Sequence, residues 1–338
     1  MDLILHIGRE KTGTTALQAF LRKDVKRISN GYYYFPTDIT MWNSNRAFTA
    51  LFDNSLNYHF YRGLKIKNWD QHSILSKRIE DDIVNQIHES KRQNYKCWII
   101  STENLSTNVF TTDQVLSLKN FIDQHFNLKK IVCYVKDQYS DAISRYAQRI
   151  KKGENLVFDE YASSLTPNNP LFSHNSYFNI WNSFFEKDKI CVENYVSENG
   201  SSKNIIHDFM TRHLHLDEKL VKAEGYRLNS KFNYVATECF SHVNKKFPRW
   251  SDTNYTKIRE TLLQQLLKID AGKLEIMFFP YREQLLERFK KDNLALANEY
   301  LKEPTLYSLN VKAELYDEKE RKRLQKIVRN VIRKIDAL

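Results

Sequence analysis

The sequence predicts an α/β fold: a central parallel sheet with helices on both faces, and a helical C-terminal part. Three observations carry this. Short apolar runs that read as buried strands alternate with amphipathic stretches that read as helices. A glycine-bearing loop joins the first such run to the first helix. Beyond about Ser201 the pattern is helical to the end. Strands that alternate with helices imply a parallel sheet covered on both sides.

The elements follow in order. Leu3–Ile7 (LILHI) is an apolar run ahead of a glycine, hence a buried strand. After the loop, Leu17, Phe20, Leu21 and Val25 recur at helical spacing. Ile74–Ile87 is an amphipathic helix, and Cys97–Ser101 (CWIIS) is a second buried strand. Asp113–Phe126 reads as a helix with Asp113 as its cap. Lys130–Val135 is a third strand, Asp141–Ile150 begins another helix, and Lys189–Tyr195 is a fourth strand. Ser163–Ser176 is a loop by composition, expected near a site and not at a domain boundary.

Composition bounds the function. The chain has 338 residues of which 41% are apolar, enough for one large domain or two smaller ones. Glycine and proline are scarce, which excludes extended disorder. The four cysteines, Cys97, Cys133, Cys191 and Cys239, form no CxxC pair, so neither a zinc site nor a disulfide framework is signalled; they read as buried thiols of a reducing compartment. The first apolar stretch is too short for a secretory signal and no run is long enough to span a bilayer, so a cytoplasmic location is expected. A net charge of +11 suits anionic ligands, acidic polymers or a membrane surface, without choosing among them.

His6–Thr15, HIGREKTGTT, is the first stretch that carries chemistry. A strand feeding a glycine-bearing turn and then a helix N-terminus aims backbone N–H groups at one spot, where the helix dipole adds positive potential. Gly8 and Gly13 keep the spacing of a nucleotide phosphate loop, but Thr14 and Thr15 stand where such loops carry lysine and then Ser/Thr. The basic residue is Lys11, inside the loop. In a nucleoside triphosphatase the lysine after the second glycine reaches the β- and γ-phosphates, while Ser/Thr holds Mg²⁺. A lysine within the loop suits a shorter ligand, with one phosphate beside the transferred group.

KTGTT after an apolar strand resembles the 5′-phosphosulfate loop of sulfotransferases that use 3′-phosphoadenylyl sulfate (PAPS), and HIGxxKTGTTxLQ is similar to their bacterial branch acting on polysaccharides and other glycans. A second element of that family is a strand ending in a basic residue, with a serine eight positions on. CYVKDQYSDAISRYAQ supplies Lys136 and Ser144 at that spacing, with lysine where the family has arginine. The resemblance covers about residues 3–303, with STENLS (Ser101–Ser106), YFNIWNSFFEKDKICVENY, Asp208–Met210, Arg227–Asn233 and Phe289–Leu301 as weaker matches. It implies a P-loop-like three-layer fold and a donor site of Gly8, Lys11, Thr12, Gly13, Thr14, Thr15, Lys136 and Ser144. PAP would be the product, and no metal would be required. The sulfuryl group would pass in line to a carbohydrate hydroxyl. Lys11 would stabilise the charge developing on the bridging oxygen. Glu103, just past CWIIS at the sheet edge where open α/β sheets bind ligands, is the candidate base. His6 is the competing candidate, although its place within the strand suits a packed or loop-supporting histidine. Asp38 and His59 fall in loops that the sequence does not place.

The acceptor site is less defined. Tyr32–Pro36 and His174–Tyr177 are rich in aromatic and polar groups that suit sugar faces, and they suit an aromatic core and a surface loop equally. At the C-terminus, Leu324, Ile327, Val328, Val331, Ile335 and Leu338 make an apolar stripe on a basic helix. A stripe of this kind packs on its own domain or on a second subunit, or lies on an anionic membrane; packing is favoured by the interspersed acids. Residues 1–315 would then form one domain and 316–338 a separate amphipathic helix. Two other classes stay open. One is a kinase or NTPase with a deviant loop, against which stands the absent post-glycine lysine. The other is a non-catalytic binder of acidic polymers or nucleic acid, for which no RRM, KH or zinc signature speaks, so no nucleic-acid partner is expected.

Overall fold

Five strands form one sheet in the computed structural model: β1 (Asp2–His6), β2 (Tyr32–Tyr34), β3 (Cys97–Ser101), β4 (Asn127–Val135) and β5 (Ile190–Asn194). Their spatial order is β2-β3-β1-β4-β5 and every pair is parallel. The described residues are 1–28, 31–35, 44–56, 59–195, 204–222, 226, 232–249, 253–269, 271–301 and 317–337. Asp38, the side chain of His59 and most of Arg227–Asn233 lie outside them.

The three layers follow from which way alternate strand residues point. Leu3, Leu5 and Ile7, with Trp98, Ile100, Ile131, Cys133 and Val135, enter one core. Ile79, Ile83 and Ile87 from the Trp69–Arg92 helix, Val115, Leu118 and Ile122 from the Thr112–His125 helix, and Trp181 from the His174–Asn182 helix complete it. The opposite strand residues, Ile4, Ile99, Val132 and Tyr134, meet Leu17, Phe20, Leu21 and Val25 of the Thr14–Ile28 helix, the loop helix. Period-2 alternation with both faces apolar is what a doubly covered parallel sheet requires. The α/β class and the helical C-terminal part are as the sequence predicts.

A third core lies beyond the sheet. It joins Tyr139, Ile143 and Tyr146 of the Gln138–Lys152 helix to Val235, Cys239 and Val243 of the Tyr234–Lys246 helix. Leu324, Val328 and Ile335 of the C-terminal helix (Glu318–Asp336) are buried in the same core. His242 Nε2 pairs with Asp336 at 2.6 Å, and Lys246 Nζ donates to the Ile335 carbonyl at 2.9 Å. The apolar stripe thus lies on the chain's own helices. Leu338 falls outside the described residues. No described helix is long and apolar enough to cross a membrane.

Two sequence expectations change. The Thr112–His125 helix is capped by Thr111, not Asp113: the Thr111 hydroxyl accepts from the Gln114 N–H while the Gln114 side chain reaches back, a capping box. Tyr32–Tyr34 is an edge strand. Tyr33 and Phe35 each lie 5.2 Å, centroid to centroid, from Trp98, and Tyr33, Tyr34 and Phe35 are buried. These rings are core and present no face to a sugar.

Candidate functional site

The site forms at the C-terminal ends of β3, β1 and β4. The chain runs from β1 through β2 to β3 on one side of β1, then places β4 and β5 on the other. That reversal leaves a crevice beside β1, where open sheets bind ligands. The loop from β1 crosses it. Lys11 and Gly13 both have positive φ, 67° and 80°. Left-handed residues turn successive N–H groups inward, a concave anion-binding nest. A left-handed lysine is strained, and such strain gathers at functional loops. Gly13 could not be otherwise: a Cβ there would stand 2.9 Å from Ile205 Cγ2, on a backbone that disfavours side chains. Gly8 is equally confined, since a Cβ would come within 2.6 Å of Thr14 Cγ2. The Gly13 carbonyl accepts from the Ala16 and Leu17 N–H groups and starts the loop helix.

Within the loop the threonines differ. Thr12 and Thr14 are buried and Thr15 is exposed. Thr12 Oγ1 donates to the Arg9 carbonyl at 2.7 Å, so this hydroxyl braces the loop. Lys11 stands exposed at the loop's crown. The protein around it lowers its pKa, opposed by the neighbouring Glu10 carboxylate.

Arg9, which the sequence does not single out, is 1% exposed and anchors the loop. Its Nη2 donates to the Pro170 carbonyl at 3.2 Å and to His174 Nδ1 at 3.1 Å, and its guanidinium lies 4.5 Å from the Tyr177 ring centre. Arginine has only donors, so His174 Nδ1 must accept. The proton is then on Nε2, which donates to the Lys136 carbonyl at 3.0 Å. Burial, then Arg9's charge, pushes the His174 pKa down to about 4, which keeps it in this neutral tautomer. Loop and β4 end are thus tied through one imidazole. His174 and Tyr177 are buried, so this stretch serves as scaffold. The helix that carries them is itself capped from afar: Asp292 accepts from the His174 N–H at 2.8 Å and from Ser173 Oγ at 2.6 Å.

Lys136 follows β4 directly, and its Nζ donates to Ser144 Oγ at 2.9 Å. Asp137 caps the Gln138–Lys152 helix through the Ser140 N–H, which fixes the turn between the two. The pair predicted from an eight-residue spacing therefore exists. Behind it sits a buried charge chain: Lys136 Nζ to Asp141 Oδ1 at 3.5 Å, Asp141 Oδ2 to Arg145 Nε at 2.7 Å, and Arg145 Nη1 to Glu10 Oε2 at 2.7 Å. The chain ends on the loop. Burial pushes the Lys136 pKa down to about 8, with Asp141 opposing. Burial alone would raise the Asp141 carboxyl, but Arg145 and Lys136 together hold it below its ordinary value.

Glu103 stands past β3, on the other side of the loop. It is partly exposed, and its Oε2 accepts from Gln18 Nε2 of the loop helix at 2.8 Å. Lys136 and Glu103 therefore flank the loop from the two strands that flank β1. His6 is fully buried, with Nδ1 2.7 Å from Ser101 Oγ. Burial, then His213, pushes its pKa down to about 3. Its Nε2, unpartnered among the described residues, lies against Gly8. This is a packed histidine under the loop, closed off from solvent.

No protein-family model matches the chain, and no curated protein matches it in sequence.

Proposed function

We propose that this protein is a sulfotransferase that moves the sulfuryl group of PAPS to a hydroxyl of a carbohydrate acceptor. The observation that carries the reading is the Lys136–Ser144 contact beside a loop with left-handed Lys11 and Gly13. The residues fit a donor with two anionic ends. Inward N–H groups of the loop suit a phosphosulfate, and an ammonium with a hydroxyl eight residues away suits a second phosphate. When bound, the donor supplies the sulfuryl group and a PAP leaving group. The chain supplies the rest. Lys11 holds positive charge where the bridging oxygen would gain negative charge. Glu103, oriented by Gln18, accepts the acceptor proton. His6 supports the loop from below, because a buried imidazole with so low a pKa is a poor base near neutrality.

Calorimetric titration tests the reading. PAP should bind with no metal present, and ATP with Mg²⁺ should not compete. Binding of ATP with Mg²⁺ alone would make the chain a kinase or NTPase. Salt-sensitive polyanion binding without PAP affinity would make it a non-catalytic binder.

A further inference from the structure

Next to the loop, on the Lys136 side, lies a cleft of 270 Å³ between the Gln138–Lys152 helix and the segment that carries Leu165 and Phe172. Glu10 of the loop is part of its wall, and the neighbouring Lys11 lies within electrostatic range of Glu10 and Lys152. The cleft is lined by Arg145, Arg149 and Lys152 against the single carboxylate of Glu10. Pockets for whole drug-sized ligands run to roughly 300–1,000 Å³, so this one holds about a single sugar ring.

Its polar groups are held ready. Arg145 is 7% exposed, and its guanidinium is fixed by Asp141, by Glu10 and by the Phe172 ring, 5.5 Å away. Yet its Nη2 is buried with no partner among the described residues. Gln148 Oε1 is likewise buried and unpartnered. Arg149 is held by Glu154 at 2.5 Å and lies 5.2 Å from the Tyr161 ring centre. A spare guanidinium donor calls for an acid, and a spare amide oxygen calls for a hydroxyl. A monosaccharide with an acidic substituent carries both. Leu165 and Phe172 offer apolar surface to its C–H face.

We propose that this cleft is an acceptor subsite for an anionic sugar, one carrying a carboxylate or a sulfate ester, recognised by Arg145, Arg149, Lys152 and Gln148. As an acceptor site it rests on the sulfotransferase reading; as an anion site it does not. Pre-fixed guanidiniums lose little freedom on binding an acid, and one charge-assisted hydrogen bond is worth on the order of tenfold in affinity.

The test uses the full chain and calorimetry at saturating PAP, with three probes: hexagalacturonate, sulfated maltohexaose and maltohexaose. The expected result is that at least one acidic probe binds tenfold or more tighter than maltohexaose, and the tighter acid identifies the group. Arg149→Ala/Lys152→Ala alters partly exposed side chains only. With Arg145 still in place, it should cut the preference sharply while PAP affinity changes less than about twofold. Gln148→Glu should weaken the acidic probes and spare maltohexaose. Equal binding of acidic and neutral probes, or a preference left unchanged by the double substitution, overturns the subsite. Loss of PAP binding in the unmodified chain would instead overturn the sulfotransferase reading, and the preference for acids would still be read from the sugar arm at zero PAP.

Discussion

Lys136 is a buried lysine that keeps its proton only up to about pH 8. Its folded pKa lies below the ordinary lysine value, so the free protein gains stability from this group as pH rises above about 8, until an unfolded lysine would also lose its proton. Donor binding has the opposite sign, because phosphate binds the protonated form. PAP affinity should be flat below about pH 8 and fall by up to roughly tenfold per pH unit above it, and Lys136→Arg should remove that fall. Calorimetry from pH 7 to 9.5 checks this; an identical pH profile for both proteins would separate Lys136 from the phosphate. Glu103→Gln should lower turnover roughly 10²–10⁴-fold with PAP affinity unchanged, whereas Lys11→Ala should harm both. Near-normal turnover in Glu103→Gln, with collapse in a folded His6→Gln, would move the base to His6. At this scale the local spacings were legible: Lys136 with Ser144, and Gly8 with Gly13. Arg9 was not, because its partners Pro170 and His174 are 161 and 165 positions away. Nothing in a linear sequence distinguishes an arginine that faces an anion from one that is buried under the loop.

Among elements, the His174–Asn182 helix holds the loop in place. His174→Ala would remove one partner from buried Arg9 and leave the Lys136 carbonyl unpaired. A loss of about 1–3 kcal/mol is expected for each unsatisfied group, read by urea denaturation, with PAP binding weakened as the loop loosens. Thr111→Ala serves as the contrast. It removes the cap of the Thr112–His125 helix, should cost about 1 kcal/mol, and should leave PAP affinity untouched. The Thr14–Ile28, Trp69–Arg92, Thr112–His125 and Gln138–Lys152 helices and the four longer strands were legible from periodicity; the His174–Asn182 helix was not, because it starts in a stretch that reads as loop by composition. Strand β2 was not: three residues, Tyr32–Tyr34, are too few to display a period, and their aromatic character fits a core and a sugar platform equally well. Thr111 was legible in retrospect, since Thr-x-x-Gln is a capping box; the acidic residue two positions later drew the assignment away.

At the scale of the whole molecule, a ligand that binds only the folded chain stabilises it. PAP at about 100 times its dissociation constant should stabilise the protein by about 2.7 kcal/mol without metal, raising the melting temperature by several degrees. An unchanged melting curve would sink the donor reading. Removing the Glu318–Asp336 helix would uncover the third core around Cys239, where Val328 and Ile335 are buried. The shortened chain should melt earlier and bind an exposed-hydrophobe dye, and an unchanged melting point would mean that the helix contributes no core.

The Asp292 cap has a consequence for the order in which the chain is made. Arg9 leaves the ribosome first, but its clamp needs His174, and the helix bearing His174 has its N-terminus held by Asp292. At roughly 10 residues per second, on the order of half a minute passes between the synthesis of the loop and of the carboxylate that completes its support. A nascent chain that already has all five strands therefore lacks the last tie on its loop, which is fixed only once Asp292 has been made, almost a hundred residues after β5.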